Sequence, residues 1–450
     1  MDQPQATSQK TLDKLSTALD SGTFVDVRRM LNGLLPAEVA HLLESSPPHF
    51  RHILWQMVEV DREGEVLGEL SDELQAHFLS DMDAAEIALI TEGLEDDDVA
   101  DILQQVPDRI TREVLNAMDH QDRARLEQVM HYPDNVAGGL MNTDTITIRA
   151  RLTLDVVLRY LRRHDEIPAM TDNLIVVTRR DEYIGLLPLR TLLVSDPSVS
   201  VREMMVTDIE PIPVTMPDTE VARLFERNDW VSAPVVDADG RLMGRITIDD
   251  VVDVIREDAD HSFMSMAGLD EEEDTFAPVS RAAPRRAIWL GINLVTAFIA
   301  SAVINQFQDT IEKVVALAVL MPIVASMGGI AGTQTLTVLV RGIAMGQVGK
   351  SNQSWLISRE FIIGALNGVL WALVVAVAAS LWFDDWNIGL IIAAAMVINL
   401  VTAALTGAVL PLLMTRFKID PALAGGVVLT TVTDVVGFVS FLGLATLFYA

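Results

Sequence analysis

Residues 421–449, PALAGGVVLTTVTDVVGFVSFLGLATLFY, decide how this chain folds, because they form a long apolar segment that carries one charged side chain, Asp434. About 20 apolar residues are enough for a helix to cross the hydrocarbon core of a bilayer. Helices of soluble proteins rarely stay apolar on every face over such a length. The segment therefore predicts a membrane-spanning helix with an ionisable group near its middle.

Four similar segments precede this one in the sequence. They are the uncharged runs 288–304, 314–340, 361–383 and 387–415. The first run is short, so flanking residues must complete its crossing of the bilayer. Together the five segments predict a polytopic α-helical membrane domain with five transmembrane helices over residues 284–450.

The charged residues are divided between the two parts of the chain as unevenly as the apolar ones. The 450 residues include 33 basic and 63 acidic side chains, a net charge of −30. Residues 284–450 hold 8 of the basic and 7 of the acidic ones, which leaves a net charge of −31 on residues 1–283. So acidic a chain is not expected to bind nucleic acid, which requires a basic face.

Several kinds of chemistry are excluded by what the sequence lacks. Without cysteine the chain has no disulfides, thiolate metal sites or cysteine nucleophile. No glycine-rich phosphate loop, nucleophile elbow or histidine-based metal motif occurs, so we do not expect an enzyme.

The basic residues between the spans predict the orientation in the membrane. One side of the predicted domain carries eight of them: Arg281, Arg285, Arg286, Arg341, Lys350, Arg359, Arg416 and Lys418. The loops on the other side offer only Lys313. We therefore expect a multi-pass protein with a cytoplasmic N-terminus and with Ala450 on the periplasmic or extracellular side.

The first part of the acidic region repeats a helical phrase. It reads LLPAEVAHLLE at 34–44, LSDELQAHFLSDM at 70–82 and LEDDDVADILQQVP at 94–107. Each copy places capping residues and acids before apolar residues at helical spacing. The repeat predicts an all-α superhelical domain over residues 1–130.

A second repeat of a different kind fills residues 131–257. VVTRRDEYIG at 176–185 aligns with VVDADGRLMG at 235–244, an offset of 59 residues. Each copy has the pattern of a hairpin followed by a helix, and an amphipathic helix precedes it. The two copies predict a pair of α/β units, at about 138–199 and 200–257.

These two units resemble a tandem of CBS domains. In that family a G-x-x-[ST]-x-x-[DN] ending often holds the ribose and phosphates of an adenine nucleotide. The second unit has this ending as Gly244, Thr247 and Asp250. The first unit has Pro188 and Thr191 instead, so ATP is expected at one site at most. Alternatively, Thr247 only caps the helix that follows it.

Polar groups within the predicted spans point to a cation pathway. A charge at the bilayer centre costs roughly 2.5–3.5 kcal/mol on insertion scales, and the spans hold no Lys or Arg that would neutralise Asp434. Thr430, Asp434 and Gly437 share one helical face. The fourth span adds Asn399, and the second contains the glycine-rich stretch MGGIAGTQT at 327–335.

The oxygen atoms of these polar residues limit which cation could pass but do not identify it. Carboxylate, hydroxyl and carbonyl oxygens favour a hard cation, and Mg²⁺ is usually held through one or two carboxylates while it keeps its waters. Composition does not separate Mg²⁺ from Ca²⁺ or Mn²⁺. The alternatives are tight helix packing for the glycines and a buried neutral acid for Asp434.

The order of parts resembles the MgtE family of magnesium channels: an acidic helical repeat, tandem CBS domains, and five spans with GGxxGxQ in the second and an acid in the last. The resemblance implies a homodimer in a bacterial inner membrane, with a Mg²⁺ pore on the two-fold axis. Where the family commonly has Asn, this chain has Ile330, so no amide contact is expected there. The predicted pore residues are Asp434, Thr430, Gly437, Gly328, Gly329, Gln334 and Asn399.

The same resemblance implies that acidic interfaces in the cytoplasmic part sense Mg²⁺. Bound Mg²⁺ would neutralise facing carboxylates, and a plug-type linker helix over 258–283 would close the pore. The predicted regulatory residues are Asp229, Asp249, Asp250, Asp253, Asp258, Asp420, Glu65, Asp97, Asp98 and Asp101.

Two other functions stay open at the level of sequence. One is a proton- or sodium-coupled divalent cation carrier that uses Asp434 as its protonation site, although the five spans show no inverted repeat. The other is a nucleotide sensor whose spans serve only as a membrane anchor.

Overall fold

The computed structural model describes residues 24–164, 167–269, 275–417 and 419–449. Two residues used to predict the orientation, Lys418 and Ala450, lie outside these ranges, as does the start of the predicted N-terminal domain. The described chain forms two compact units. One comprises the residues up to Ala259 together with 275–278, and the other comprises 260–269 together with the residues from Val279 onward.

The first unit begins with a series of short helices. Their N-termini follow from the sequence, since proline opens two of them and Asp83 caps another by accepting hydrogen bonds from the backbone N–H groups of Ala85 and Glu86, both at 2.9 Å. The helices are α1 (Phe24–Leu31), α2 (Pro36–Glu44), α3 (Pro48–Trp55), α4 (Val60–Gly68), α5 (Asp72–Leu79), α6 (Ala84–Ile90), α7 (Asp96–Gln104), α8 (Asp108–Ala117) and α9 (His120–Val129).

These helices stack as a superhelix, as the repeated phrase predicted. Helix α2 packs on α4, α4 on α6, α6 on α8, and α7 on α9, so each contacts the next but one along the chain. The crossing of α4 and α6 requires glycine, because a Cβ at Gly64 would lie 1.9 Å from the carbonyl oxygen of Ile90. Fully buried leucines and isoleucines, among them Leu67 and Ile87, form the core.

The second part of this unit contains two three-stranded sheets with the same topology. In each sheet the first strand runs parallel to the second, and the second is antiparallel to the third. The elements are β1 (Thr147–Ile148), α10 (Leu154–Leu161), β2 (Asn173–Val177), β3 (Tyr183–Pro188), α11 (Leu189–Val194), α12 (Val201–Met204), β4 (Ile212–Pro213), α13 (Asp218–Asn228), β5 (Ser232–Val236) and β6 (Leu242–Thr247).

The strand register confirms the internal repeat. Val176 pairs with Gly185 in the first sheet, and Val235 pairs with Gly244 in the second. The register shifts directly after each of these pairs. Equivalent residues of the two sheets, 59 positions apart in sequence, therefore have equivalent partners on the neighbouring strand.

Helix α14 (Ile248–Met266) leaves the second sheet and differs from the predicted linker helix over 258–283. It begins ten residues earlier and ends at Met266, where Gly268 has a φ of 70°. The backbone N–H groups of Gly268 and Leu269 bond back to the carbonyls of Ser265 and Met264, at 2.9 and 3.0 Å. This left-handed glycine cap terminates the helix.

The second unit contains five helices that are long and apolar enough to cross a membrane, as predicted. The fourth of them is the most buried, and the first is the most exposed. The helices of this unit are α15 (Val279–Asn305), α16 (Gln308–Lys313), α17 (Ala316–Ala344), α18 (Gln353–Phe383), α19 (Trp386–Arg416) and α20 (Pro421–Tyr449). Helix α19 lies at the centre and packs against α17, α18 and α20.

Candidate functional site

A groove of about 500 Å³ lies between the second and fifth spans. One wall is a face of α17 that includes the glycine-rich stretch, and the other is a face of α20. The lining residues are Ala325, Ser326, Gly329, Ile330, Thr333, Gln334, Thr430 and Asp434. Four of the predicted pore residues therefore meet here: Gly329, Gln334, Thr430 and Asp434.

Most of the groove surface is apolar, and its polar side chains are three hydroxyls, one amide and one carboxylate. Asp434 is half-buried and supplies the carboxylate of the lining. The hydroxyl of Thr430 donates to the carbonyl oxygens of Gly426 and Val427, each at 3.0 Å, and that of Thr333 donates to Gly329 at 2.9 Å. Because these protons bond within their own helices, the two hydroxyl oxygens act as acceptors toward the groove.

Three predicted pore residues do not line the groove. Asn399 is fully buried, and its Nδ2 donates to the carbonyl oxygen of Val324 at 2.8 Å. A Cβ at Gly328 would lie 2.3 Å from that Nδ2, and one at Gly437 would lie 2.9 Å from it. Asn399, Gly328 and Gly437 thus form a packing contact behind the groove that brings α17, α19 and α20 close together. The alternative interpretation of the glycines holds for Gly328, whereas a Cβ at Gly329 would have no atom within 4 Å.

Ile330 lines the groove and is 55% exposed. Its side chain carries no donor or acceptor, so this part of the wall offers no amide contact, as predicted from the sequence. The polar side chains on the same wall are Ser326, Thr333 and Gln334.

Sequence reasoning missed one buried carboxylate in the membrane unit. Glu360 was treated as the boundary of the third span, but α18 begins at Gln353 and places Glu360 inside the helix at 4% exposure. The available signal was its spacing, since Glu360, Gly364, Gly368 and Ala372 recur every four residues on one buried face.

In the first unit, carboxylates of α7 lie close to the first turn of α14. We call Asp97, Asp98, Asp101, Asp249, Asp250 and Asp253 the acidic cluster; all six were predicted regulatory residues. Asp97 is 6% exposed, and its Oδ1 has no hydrogen-bond partner. Unpaired buried oxygens of this kind are uncommon and suit a cation or water that would bind there.

Crowding changes how readily the acidic cluster ionises. Burial, and then repulsion by Asp250, raises the pKa of Asp97 well above its usual range. Burial, followed by repulsion from Glu95 and Asp249, raises the pKa of Asp98 to about 6.

The same causes act on two further members of the cluster. Burial, followed by repulsion from Asp134 and Asp98, raises the pKa of Asp101 to about 8. Burial and Asp249 raise the pKa of Asp250 to about 7. By surface area Asp98 and Asp101 are exposed, as are Asp249 and Asp253, so water weakens the effects of burial and repulsion on these groups, and Asp97 is the buried member of the cluster.

The remaining predicted regulatory acids of this unit lie at its surface. Glu65, Asp229 and Asp258 are exposed, and Asp229 ends α13 in a left-handed conformation with a φ of 52°. Glu69 was not predicted, yet burial and the charge of Asp253 raise its pKa. Within the described residues, no group of three or more His, Asp or Glu side chains is arranged to hold a metal ion directly.

Asp420, another predicted regulatory residue, belongs to the second unit. Its Oδ2 lies 2.9 Å from Nε2 of His261, near the C-terminal end of α14. Its Oδ1 accepts a hydrogen bond from the backbone N–H of Ala422 at 2.8 Å and so caps α20. Asp420 therefore lies beside α14, and its part in Mg²⁺ sensing stays a prediction.

The three residues of the tentative nucleotide motif lie together at the junction of β6 and α14. The hydroxyl of Thr247 is bonded to Asp250 at 2.9 Å and also to Asp249, and the Thr247 backbone N–H donates to Asp250 at 3.3 Å. A Cβ at Gly244 would lie 2.7 Å from the carbonyl oxygen of Asn142. The Thr247 hydroxyl therefore donates to carboxylates instead of accepting from a backbone N–H of α14 as a helix cap does, and it is the Asp250 side chain that accepts from the Thr247 N–H.

Profiles of known protein families match most of the chain. A profile described as the MgtE intracellular N domain matches residues 34–135, and the CBS domain profile matches 137–196 and 201–257. The MgtE profile, described as a divalent cation transporter, matches residues 321–444. The matches follow the same order as the parts inferred from the sequence.

Individual proteins resemble the chain over almost its full length. It is 29% identical to the magnesium transporter MgtE of Bacillus subtilis over 96% of this chain and 95% of that protein. It is also 29% identical to the magnesium transporter MgtE of Thermus thermophilus, over 98% of each chain.

Among solved structures, the chain resembles the cytosolic domain of the Mg²⁺ channel MgtE in complex with ATP. The identity is 32% and the TM-score 0.49, over 54% of this chain and 99% of that one. The relatives named above are transporters and not enzymes. The profiles match in this order and the structure has five candidate membrane helices, so the protein is a multi-pass membrane protein with a CBS pair. The chain belongs to the MgtE family of divalent cation transporters.

Proposed function

We propose that this protein conducts Mg²⁺ into the bacterial cytoplasm through a pore built from the groove between α17 and α20. The observation that carries the proposal is Asp434, a half-buried carboxylate of a membrane-spanning helix that faces an open groove lined with hydroxyl oxygens and a glycine. Ionisable groups at such depth normally serve an ion or substrate path.

The groove suits an ion that keeps its waters. Mg²⁺ loses its hydration shell reluctantly and is usually bound through one or two carboxylates. A volume of about 500 Å³ accommodates a hydrated ion, since each water occupies roughly 30 Å³ in the liquid. The acceptor oxygens of Thr333 and Thr430 would bond to coordinated waters rather than to the metal itself.

A second copy of the chain would complete the pore. The groove is open along one side, so an aqueous path through the membrane requires another surface opposite Asp434. In a two-fold symmetric homodimer that surface would be the same groove of the partner, and two carboxylates would then share one hydrated ion.

Cytosolic Mg²⁺ would regulate this pore through the acidic cluster. The carboxylates of α7 and α14 repel one another, and Asp97 leaves a buried oxygen unpaired. Bound Mg²⁺ would replace the protons that these groups retain and would draw α7 toward α14. Because the described side chains do not enclose a metal directly, the ion would be held partly through its own waters.

The distribution of charge supports a cytoplasmic location for the first unit. Basic residues are concentrated before the first span, between the second and third spans, and between the fourth and fifth spans. Arg341, Arg359 and Arg416 are among them, and these segments share one side of the membrane with the first unit. An acidic sensor on that side would respond to the Mg²⁺ that has already entered the cell.

Nucleotide binding is a separate part of the proposal and concerns the second CBS unit. Gly244, Thr247 and Asp250 would contact an adenine nucleotide such as ATP. Since Asp249 and Asp250 already bond to the Thr247 hydroxyl, the nucleotide would have to displace those contacts.

The decisive experiment measures Mg²⁺ uptake by purified full-length protein in liposomes and growth of a Mg²⁺-uptake-deficient bacterium. We expect Asp434→Asn and Asp434→Ala to reduce uptake at least 100-fold. Asp384→Asn is the matched control, since Asp384 is exposed outside the helices and has a φ of 51°, which Asn tolerates.

Equal uptake by the wild type and the Asp434 variants would refute the proposed pore. The same liposomes separate a channel from a coupled carrier. Uptake that follows the Mg²⁺ gradient and does not change with a pH or Na⁺ gradient supports a channel, whereas dependence on either gradient supports the carrier.

A further inference from the structure

Glu360 is a buried acid of the membrane unit that the proposed pathway does not use. It lies seven residues after the start of α18 and is 4% exposed. Its face of the helix packs against α19, where a Cβ at Gly364 would lie 2.6 Å from the Cβ of Ala404. A carboxylate in such a position is expensive to bury, so its partners indicate its role.

Two partners hold the Glu360 carboxylate. Oε1 accepts from Nη1 of Arg359 at 2.7 Å, and Oε2 accepts from the hydroxyl of Thr335 at 3.3 Å. Arg359 is about half exposed, whereas Thr335 is buried. The contact with Thr335 therefore ties the third span to the second inside the unit.

Thr335 is held firmly by its surroundings. A Cβ at Gly407 of α19 would lie 2.9 Å from the Cβ of Thr335, so this part of α17 packs closely against α19. Helix α17 packs chiefly against α19 and α20 and touches α18 much less. The hydroxyl of Thr335 is consequently a main polar link between α17 and α18.

The residue next to Thr335 belongs to the groove. Gln334 lines the groove, and it also lines a second cavity of about 170 Å³ that contains Glu360, Arg359 and Thr335 in its wall. One wall residue is therefore shared by the pathway and the buried pair. A rotation of α17 that breaks the Thr335 contact would move Gln334 out of the groove.

We propose that Glu360 is a positioning residue for ion selection, which it achieves by bonding Thr335 and thereby holding Gln334 against the groove. The inference rests on the proposed function, because it assumes that the groove conducts. Glu360 itself does not touch the ion. Its contribution is to fix the rotation of α17, so that the Gln334 amide meets the waters around a cation of one size.

The first test compares substitutions that differ only in the hydrogen bond. Thr335→Val removes the hydroxyl at nearly constant volume, and Thr335→Ser keeps it. Glu360→Gln retains an acceptor for Thr335, and Glu360→Leu does not. We expect Thr335→Val and Glu360→Leu to change the Mg²⁺/Ca²⁺ flux ratio of liposomes containing full-length protein at least fivefold, and Thr335→Ser and Glu360→Gln to change it less than twofold.

A second measurement follows the position of Gln334 directly. The chain has no cysteine, so Gln334→Cys introduces a single thiol. We expect a charged thiol reagent to label it at least fivefold more slowly when Thr335→Val is added, and at an unchanged rate when Thr335→Ser is added. This measurement does not require transport, so it stays informative for a variant that folds but does not conduct.

The outcomes separate this inference from the proposed function. If Asp434→Asn abolishes flux while Thr335→Val leaves both the flux ratio and the labelling rate unchanged, the positioning role is wrong and the pore stands. If Asp434→Asn conducts like the wild type, the pore itself is wrong. Independent, additive effects of Thr335→Val and Gln334→Ala on the flux ratio would also contradict positioning, since residues that act together are not additive.

Discussion

The groove and the acidic cluster both depend on carboxylates, but they contain very different numbers of them. Asp434 is the carboxylate of the groove lining, among hydroxyl oxygens and a glycine. The acidic cluster brings six aspartates together, and Asp97 among them is almost fully buried. A single carboxylate suits an ion that must leave again, because its attraction is weak when the ion keeps its waters. Many carboxylates suit an ion that must be retained.

The crowding of carboxylates in the acidic cluster also affects how it binds protons. Burial, followed by mutual repulsion, raises the pKa of Asp98 to about 6, of Asp250 to about 7 and of Asp101 to about 8. At neutral pH the cluster therefore retains protons when no metal is bound. If the cluster binds Mg²⁺ as proposed, metal binding would release those protons, and the cluster would then respond to divalent cations and to pH together.

The largest effect that we predict in this comparison is on the stability of the first unit. Folding raises the pKa of these carboxyls, so the folded chain binds more protons than the unfolded chain between about pH 4 and 8. The free energy of unfolding therefore falls as pH rises through this range. In EDTA, the melting temperature of the full-length protein should fall by several degrees between pH 5 and pH 8, and millimolar Mg²⁺ should largely reverse this fall.

Asp97→Asn tests the source of the effect. It replaces a buried titratable carboxyl by an amide of similar size, so we expect a smaller fall with pH and a weaker response to Mg²⁺. Asp239→Asn is the matched control, because Asp239 is exposed in the β5–β6 turn and Asn-Gly is favoured there. A melting temperature that rises from pH 5 to pH 8 in EDTA would show that the cluster does not retain protons.

The second prediction concerns two adjacent glycines of α17: Gly329 lines the groove, and Gly328 packs against Asn399 behind it. A Cβ at Gly328 would lie 2.3 Å from Nδ2 of Asn399, whereas one at Gly329 would have open space. Overpacking of this kind costs about 1–3 kcal/mol. Gly328→Ala should therefore lower the melting temperature of the membrane unit by several degrees, and Gly329→Ala should leave it within about one degree.

Mg²⁺ transport by the Gly328→Ala and Gly329→Ala variants distinguishes the glycine that lines the groove from the glycine that packs against Asn399. Gly329→Ala places a methyl group in the groove, so Mg²⁺ flux should fall severalfold although the fold is intact. If Gly328→Ala were as stable and as active as the wild type, the close packing around Asn399 would be wrong.

Much of the fold could be predicted from the sequence because the decisive signals are local. The uncharged run 387–415 corresponds to Trp386–Arg416, since the absence of charge is a property of the segment itself. The offset between the two CBS units was visible because each hairpin repeats the same short pattern. The resemblance supplied the identity of the ion, which composition alone left open.

The assignment of individual residues to the groove could not be made in the same way. Asn399 lies on a polar stripe of the fourth span with Thr402 and Thr406. Such a stripe does not show whether it faces a water-filled path or a neighbouring helix, and Asn399 faces α17, where it bonds to Val324. Gly328 and Gly329 are neighbours in sequence, and only the packing of α19 separates their roles. Glu360 was left out of the predicted third span because the first residue of the uncharged run, residue 361, was taken as the start of the helix. Helix α18 in fact begins earlier, at Gln353.

The smallest effect that we predict distinguishes a structural role of the Thr247 hydroxyl from a role in nucleotide binding. The hydroxyl donates to Asp250 at 2.9 Å, so its loss in Thr247→Ala should cost about 1 kcal/mol. That corresponds to a fall in melting temperature of about 2–4 °C for a unit of this size, and Thr247→Ser should retain most of the stability. If the hydroxyl also binds a nucleotide, ATP should raise the melting temperature of the wild type and of Thr247→Ser but not of Thr247→Ala. An equal response of all three proteins to ATP would leave the Thr247 hydroxyl with its bonds to Asp249 and Asp250 alone, because a ligand that gains nothing from the hydroxyl does not contact it.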